Sequence, residues 1–219
     1  MLIDMKSSLA ALLCVFITLN TSLLFAQVDI SRLSVASSAN TAGFSYTKNS
    51  AATSAAPVIF YQQLIEMLST TDDMPSLKVY GNGHVLVHIP VYMKNAGDYE
   101  MDFDDTRMVN LIQSLSTDGI LDFDEQKTAD KVNASEKNLR AKGQFHTISD
   151  AVYSIVDIKL DEYQKSSSSK KQTGFHKRFQ WKNIEHDARR HHQISEITNA
   201  GIAISQLQAL LHDARLVRK

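Results

Sequence analysis

Histidine is the residue type in this chain that most suggests metal or acid–base chemistry, and the sequence contains 8 of them. His84 and His88 lie four apart in a strand-like segment, so they share a face but stand ~13 Å apart at ~3.3 Å per residue. His186, His191 and His192 fall on different sides of a helix, and no H-E-x-x-H pattern occurs. The spacing therefore predicts solvated histidines beside a basic loop, with no metal site and no cofactor.

Acidic residues cluster at 98–105 and 118–125. Asp122 and Asp124 have the spacing that opens a calcium-binding loop, but Lys127 stands where that loop needs glycine, and the closing glutamate is absent. Helix capping and solvated strand ends explain these acids with fewer assumptions. An exported hydrolase or metal-dependent enzyme that uses His and Asp residues stays as the alternative function, because a sequence does not fix the distance between two carboxylates.

Basic and aromatic residues interleave in "KKQTGFHKRFQWK", residues 170–182. Such a stretch could bind an anionic partner, with its aromatic rings stacking on that partner. The favoured interpretation is an edge strand whose Lys and Arg discourage aggregation while Phe175, Phe179 and Trp181 face the core. If the stretch does bind an anionic partner, the surface consists of Lys170, Lys171, Lys177, Arg178 and Lys182.

Residues 1–26 have the composition of a secretory signal peptide. Lys6 precedes an apolar run that residues 20–22 interrupt with polar side chains, and Leu-Phe-Ala closes the segment at Ala26. An uncleaved membrane anchor is the alternative, but the uninterrupted run is shorter than the ~20 apolar residues of a membrane span. We therefore expect cleavage after Ala26, no transmembrane span in the mature protein, and a periplasmic or secreted location.

The mature chain expected after cleavage contains no cysteine, because the single Cys14 lies in the signal segment. It therefore has no disulfide, thiol nucleophile or thiolate metal site, and its fold must rely on an apolar core. The formal net charge of -1 argues against a general nucleic-acid binder, because such proteins need a basic excess. Any charged interaction must be local.

Composition divides the remaining chain into a linker and one domain. Residues 27–56 are rich in Ser, Ala and Thr and contain few large apolar side chains, which predicts a flexible linker. Residues 57–219 are expected to form a single domain. The polar stretch at 165–174 predicts an exposed loop inside that domain.

The segment 77–89 predicts a β-hairpin. Its two apolar halves flank Asn82-Gly83, a pair typical of a type I′ turn in which both residues have positive φ. That turn places Val79 opposite Leu86. Because both faces of the hairpin carry apolar groups, we expect it to lie in the interior of a sheet.

Periodicity predicts the other elements. Alternation over 151–160 indicates a strand whose apolar face is interrupted by the polar Ser154. Asp104 or Asp105 can cap a helix that ends at Gly119, and a last helix begins near Ser195. Residues 57–68 are ambiguous between a strand and a helix, and their Ile, Phe and Tyr favour a strand. Further strands are expected at 99–103 and 175–181. This irregular order predicts an α+β domain with an antiparallel or mixed sheet and helices packed on one face.

Three features between residues 77 and 124 carry a family resemblance: a Tyr-Gly-x-Gly hairpin, a Pro-x-Tyr-Met-Lys-x-Ala-Gly-x-Tyr segment, and a helix that ends before Leu-Asp-Phe-Asp. This pattern resembles a family of uncharacterised exported proteins from Gram-negative bacteria. The resemblance implies a location in the bacterial envelope or outside the cell, and it carries over no catalytic residues. The function expected is a noncatalytic binding or interaction module of the envelope, whose partner is an envelope protein or an anionic glycan or lipid.

Overall fold

The computed structural model describes residues 32–35, 42–48, 56–66 and 73–219, and their strands form one nine-stranded antiparallel sheet. The strands are β1 Arg32–Val35, β2 Gly43–Thr47, β3 Ile59–Ile65, β4 Ser76–Val79, β5 His84–Ile89, β6 Gly97–Asp102, β7 Val152–Gln164, β8 Gln172–Lys182 and β9 Val217–Arg218. The helices are α1 Asp105–Thr117, α2 Glu125–Ala141, α3 Ile184–Arg190 and α4 Ser195–Leu210. The signal peptide predicted at 1–26 lies outside the described residues. Within them, no helix has the length and apolar character of a membrane span.

The long strand β7 organises the sheet. One side of β7 pairs with β8, and the other side pairs end to end with β2 and β3. From β3 the sheet continues through β4, β5 and β6 to β9. Among the described strands, β8 pairs with β7 alone, so the predicted edge strand is confirmed.

The hydrophobic core lies between one face of the sheet, here called the covered face, and the helices. Val85, Val156 and Ile158 point into it from the strands, while Ile112 of α1 and Ile204 of α4 meet them from the helices; all five are fully buried. Alternate strand residues point to the opposite, open face, which is charged and exposed to solvent. The α+β prediction, with helices on one face, is confirmed.

Acidic residues cap two of the helices, and the cap at Asp104 was predicted from the sequence. The side chain of Asp104 accepts a hydrogen bond from the Arg107 amide at 2.7 Å, and Asp124 accepts one from the Lys127 amide at 2.9 Å. Both bonds satisfy amide groups that a helix start leaves without a partner. Gly119, with φ of 74°, follows α1 in the left-handed conformation that favours glycine.

The hairpin between β4 and β5 forms where expected, but the type I′ assignment is wrong. Gly83 has φ of 86°, whereas Asn82 is not among the residues with positive φ. The Gly83 amide donates to the Tyr80 carbonyl at 2.9 Å, which closes a wider turn. The extra turn residue shifts the register by one, so Val79 lies opposite Val85.

The prediction of a flexible linker over 27–56 is wrong for the described parts of that segment. Residues 32–35 and 43–47 form β1 and β2, and Phe44 and Tyr46 are buried in the core. The composition of the segment could not indicate β2, because this strand is stabilised by pairing with the end of β7. That partner lies more than a hundred residues later in the chain. The folded domain therefore begins before residue 57.

Two helices and one strand boundary also differ from expectation. Helix α2 was not predicted, because it is mostly polar and buries only Thr128 and Val132. Helix α3, which has 7 residues, was not predicted either. The predicted loop at 165–174 lies where expected but is shorter, because β8 already begins at Gln172.

Candidate functional site

The five basic residues predicted as one binding surface do not lie together. Arg178 and Lys182 are exposed on β8, at alternate positions that face the open side of the sheet. Lys170 and Lys171 are exposed just before β8 begins. Lys177 lies on the covered face, so the sequence grouped side chains that the strand separates.

Lys177 lies at the margin of the core instead. It shares its face with Phe175, Phe179 and Trp181, which are all buried as predicted. Its ammonium donates a hydrogen bond to the carbonyl oxygen of Phe123. Burial lowers the pKa of Lys177, which agrees with a position at the margin of the core.

Two of the exposed lysines already have carboxylate partners. Lys171 Nζ lies 2.8 Å from Glu162, and Lys182 Nζ lies 3.1 Å from Glu66. An anionic ligand would have to compete with these carboxylates. A strong anion site at β8 is therefore disfavoured, although binding of an anionic glycan or lipid there stays a prediction.

The histidines of β5 share the open face, as predicted, and each contacts carboxylates. His84 Nδ1 lies 3.0 Å from Asp102, and His88 Nδ1 lies 2.7 Å from Asp98. Asp73 contacts the other ring nitrogen of His88. The bond to Asp98, supported by Asp73, raises the pKa of His88. In the part of the chain that the structure describes, no three His, Asp or Glu side chains gather in a metal-binding arrangement.

The prediction that the C-terminal histidines are solvated is wrong for His191. Its side chain is 2% exposed, and its Nδ1 lies 3.0 Å from the Ser135 hydroxyl of α2. Burial lowers the pKa of His191. His191 directly follows the last residue of α3, and its side chain packs against α2 rather than facing solvent.

A cavity of about 400 Å³ lies between the end of the sheet where β7 begins and the helices α3 and α4. This volume falls within the range of roughly 300–1,000 Å³ for small-molecule sites. The described residues that line it are Gln63, Ile148, Val152, Ser154, Asn183, Ile184, Glu185, His186, Arg189 and Gln208. We call it the α3–α4 cavity.

The floor of the α3–α4 cavity is polar. Gln63 of β3 and Ser154 of β7 face each other across paired strands, and the Ser154 side chain is buried. Tyr61 lies two residues before Gln63 on the same face of β3 and is fully buried. Gln208 of α4 lines the cavity from the opposite side. Gln63, Ser154 and Gln208 therefore give the cavity three uncharged polar side chains, with Tyr61 packed beneath them.

The hydroxyl group of Tyr61 lies beneath this floor and does not line the cavity. It is within hydrogen-bonding reach of the side chains of Ser154, Gln208 and Gln63, although none of these contacts has good geometry. Burial raises the pKa of Tyr61, so the phenol is neutral at physiological pH.

The rim of the cavity carries charged residues that largely pair with their neighbours. Arg189 lies 3.8 Å from Glu185 on the same helix. His186 Nδ1 lies 3.3 Å from Asp187, and its ring contacts that of His146 in a tilted arrangement, with 4.4 Å between ring centroids. The rim therefore presents no excess of either charge.

Specific contacts hold α3 in place as the wall of the cavity. Asn183, with φ of 52°, turns the chain from β8 into α3, and Asn tolerates this left-handed conformation better than most residues. Its side-chain oxygen accepts a hydrogen bond from the Val152 amide at 2.9 Å. Arg190 lies 2.8 Å from Glu136 and ties α3 to α2. The cavity wall is thus fixed at both ends of α3.

Sequence reasoning missed this cavity, although one signal was present. Ser154 interrupts the apolar face of β7, and Gln63 continues the face that Ile59 and Tyr61 begin on β3. The pairing of these two strands brings the polar interruptions together. Chemically, the floor offers neutral hydrogen-bond donors and acceptors, which suit the binding and orientation of a ligand.

Comparison of the chain with protein-family models, with curated proteins and with solved structures found no match. The family resemblance of residues 77–124 therefore stays a prediction.

Proposed function

We propose that this protein is an exported, noncatalytic binding module of the bacterial envelope that holds a small ligand in the α3–α4 cavity. One observation carries the proposal. The cavity of about 400 Å³ has a floor of three neutral polar side chains, Gln63, Ser154 and Gln208, beside apolar walls.

The lining offers a ligand two kinds of contact. The side chains of Gln63, Ser154 and Gln208 can each donate and accept hydrogen bonds. Ile148, Val152 and Ile184 present apolar surface beside them. A mostly apolar lining with a few polar groups is typical of small-molecule sites.

Binding in the cavity can be tested with a fragment library and ligand-observed NMR on the mature protein. Gln208→Trp should abolish binding, because an indole from this half-buried position fills the cavity. Ile202→Trp is the matched control, since Ile202 is 48% exposed on the same helix and does not line this cavity. Equal binding by the two variants would reject the cavity as the site.

Export is the second part of the proposal, and the composition of residues 1–26 supports it. Mass spectrometry of protein from the periplasm or the medium should find Gln27 as the N-terminal residue. Recovery of only the full-length chain from the cytoplasm would refute export without bearing on the cavity.

A further inference from the structure

We propose that the open face of the sheet is the interface of a symmetric homodimer, in which a second copy of this chain packs its own open face against it. This surface is separate from the α3–α4 cavity, which lies on the covered face, so the inference does not depend on the proposed ligand. It depends on an apolar patch at the middle of the open face and on opposite charges at its two margins.

Apolar side chains occupy positions of the open face where an uncovered antiparallel sheet usually carries polar residues. They belong to the central strands β3, β5 and β7 and are each partly exposed: Phe60, Leu64, Leu86, Tyr153 and Ile155. Leu64 pairs with Tyr153 on the neighbouring strand, and Lys78 lies between Phe60 and Leu86. The aliphatic stem of Lys78 continues the apolar surface. A second copy seated here would remove this patch from water.

The two strands that flank this patch carry opposite charges. On the open face, β8 contributes bases and no acid, whereas β6 contributes acids and no base. These side chains are His176, Arg178 and Lys182 on β8, and Asp98, Glu100 and Asp102 on β6. Neighbours neutralise part of the charge: Asp157 contacts His176, Glu66 contacts Lys182, and the two histidines of β5 contact Asp98 and Asp102. Arg178 makes no ion pair with any residue that the structure describes.

A two-fold axis parallel to the strands makes the open face complementary to itself. Such an axis, placed between β3 and β4, lays two open faces against each other and reverses the strand order of one relative to the other. Strand β8 of each copy then lies over β6 of the other, and the two apolar patches meet at the centre. Face-to-face packing of sheets at about 10 Å is a common arrangement in proteins.

The register of the sheet aligns one pair of charges in particular. An axis parallel to the strands preserves position along them, so a cross-strand row of one copy faces the same row of the second copy. Arg178 and Glu100 stand at the two ends of one row, which runs through Asp157, Phe60, Lys78 and Leu86. The symmetry therefore creates the contact between Arg178 and Glu100 twice in each dimer.

The open face is large enough for a specific interface of modest size. The strands from β8 to β6 span about 24 Å at ~4.8 Å per strand, and the paired segments are about 20 Å long. Each copy would bury roughly 500 Å², or about 1,000 Å² in total, which is the lower limit for a specific protein interface. We therefore expect a reversible dimer in which the charged margins set the orientation of the two copies.

Sedimentation equilibrium of the mature protein over a range of protein and salt concentrations measures the dimer. Its dissociation constant should rise with salt, because screening weakens attraction between exposed charges. Arg178→Glu and Glu100→Arg should each weaken the dimer at least about tenfold, because each variant places like charges together at two contacts. An equimolar mixture of the two variants should recover the dimer, since both contacts of a mixed dimer join opposite charges.

Ile155→Asp tests the apolar patch, and Ile202→Asp is its matched control. Ile155 lies in the patch, whereas Ile202 is 48% exposed on α4 and belongs to neither face of the sheet. A carboxylate in the patch loses hydration on association, so Ile155→Asp should abolish the dimer and Ile202→Asp should leave it unchanged. If Ile155→Asp fails to fold, the mixing experiment decides, because it changes only solvent-accessible side chains.

Four results overturn the inference. The first is a mature protein that stays monomeric at every concentration. The second is a dimer that both charge variants leave intact, and the third is a failure of the mixed variants to associate. The fourth is a dimer that Ile202→Asp disrupts and Ile155→Asp does not, which would place the interface on the helices. None of these results bears on ligand binding in the α3–α4 cavity.

Discussion

The two faces of the sheet are built from the same strands but use their side chains in different ways. On the covered face, Val85, Val156 and Ile158 are fully buried and belong to one core with the helices. On the open face, His88 and Arg178 occupy alternate positions of the same sheet and stay accessible to water. The period of two in a strand produces this division.

The two faces therefore differ in what they contribute to stability and to binding specificity. Burial of apolar surface contributes roughly 25 cal/mol per Å², so the covered face supplies most of the stabilisation. Exposed ion pairs on the open face contribute about 0–1 kcal/mol each. The α3–α4 cavity is the exception, because it lies on the covered face and yet has a polar floor. Substitutions on the two faces should therefore differ sharply in their effect.

The largest effect is expected from Gly83→Val, which acts where the β4–β5 turn meets the covered face. A Cβ at position 83 would lie 2.1 Å from the carbonyl oxygen of Phe103, and φ of 86° is strained for a β-branched residue. Phe103 is buried in the core, so relief of this clash would disturb the packing. We expect a loss of about 4 kcal/mol in the free energy of unfolding, measured by chemical denaturation.

Gly143→Ala separates backbone strain from the clash. Gly143 has φ of 77°, but no atom lies within 4 Å of a Cβ built there. This variant should therefore cost only about 1 kcal/mol, from the left-handed conformation alone. Equal losses for the two glycine variants would show that contact with Phe103 does not matter.

Trp181→Ala should have the next largest effect, because it removes a large side chain from the covered face. Trp181 is 7% exposed, and its ring meets Phe123 edge-on with 5.6 Å between centroids. Its Nε1 group donates to Asp187 at 2.9 Å. We expect a loss of about 3 kcal/mol in unfolding free energy. Trp181→Phe should recover more than half of it, and a wild-type melting temperature for Trp181→Ala would place the ring at the surface.

Neighbouring residues of β8 test the comparison of faces directly. Lys177→Gln removes an ammonium that donates to a carbonyl at the core margin, so it should cost about 1 kcal/mol. Arg178→Gln changes an exposed position on the open face and should stay within about 0.5 kcal/mol of wild type. Denaturant titrations of both variants check the difference. A larger loss for Arg178→Gln than for Lys177→Gln would mean that Arg178 faces the core and Lys177 faces solvent.

The smallest effect is expected from His88 on the open face, and it depends on pH. Asp98 and Asp73 raise the pKa of His88 in the folded protein above the unfolded value of about 6.5. The stabilisation is therefore fully present below about pH 6.5 and is lost as the pH rises through the folded-state pKa. Melting temperatures of wild type and His88→Gln should differ most at low pH within the range where the protein folds, and should converge at high pH. A gap that widens with rising pH would contradict this assignment.

Local signals predicted a large part of the fold. Alternation identified β7, a stripe of apolar residues identified α1 and α4, and Asp104 and Gly119 marked the limits of α1. The prediction failed for β2, whose partner strand is distant in the chain, and for α2, whose surface is mostly polar. It also failed for the register of the hairpin, which one additional turn residue changed.

The candidate site was much less accessible to sequence reasoning. The prediction grouped Lys177 with Arg178 because they are adjacent, whereas the strand places them on opposite faces. It noted Ser154 as a polar interruption but had no means of relating it to Gln63 or Gln208. The relevant distances arise from strand pairing and from the packing of α4 over the sheet.

By itself, the sequence determined those properties that depend on a few consecutive residues: the periods of the strands and helices, the caps at Asp104 and Asp124, and the need for glycine at position 83. These properties follow from backbone geometry and local hydrogen bonds. Only the tertiary structure decided that Gln63, Ser154 and Gln208 meet in one cavity. Those residues are far apart in the chain, and long-range packing alone sets which polar groups lose contact with water and which find a partner.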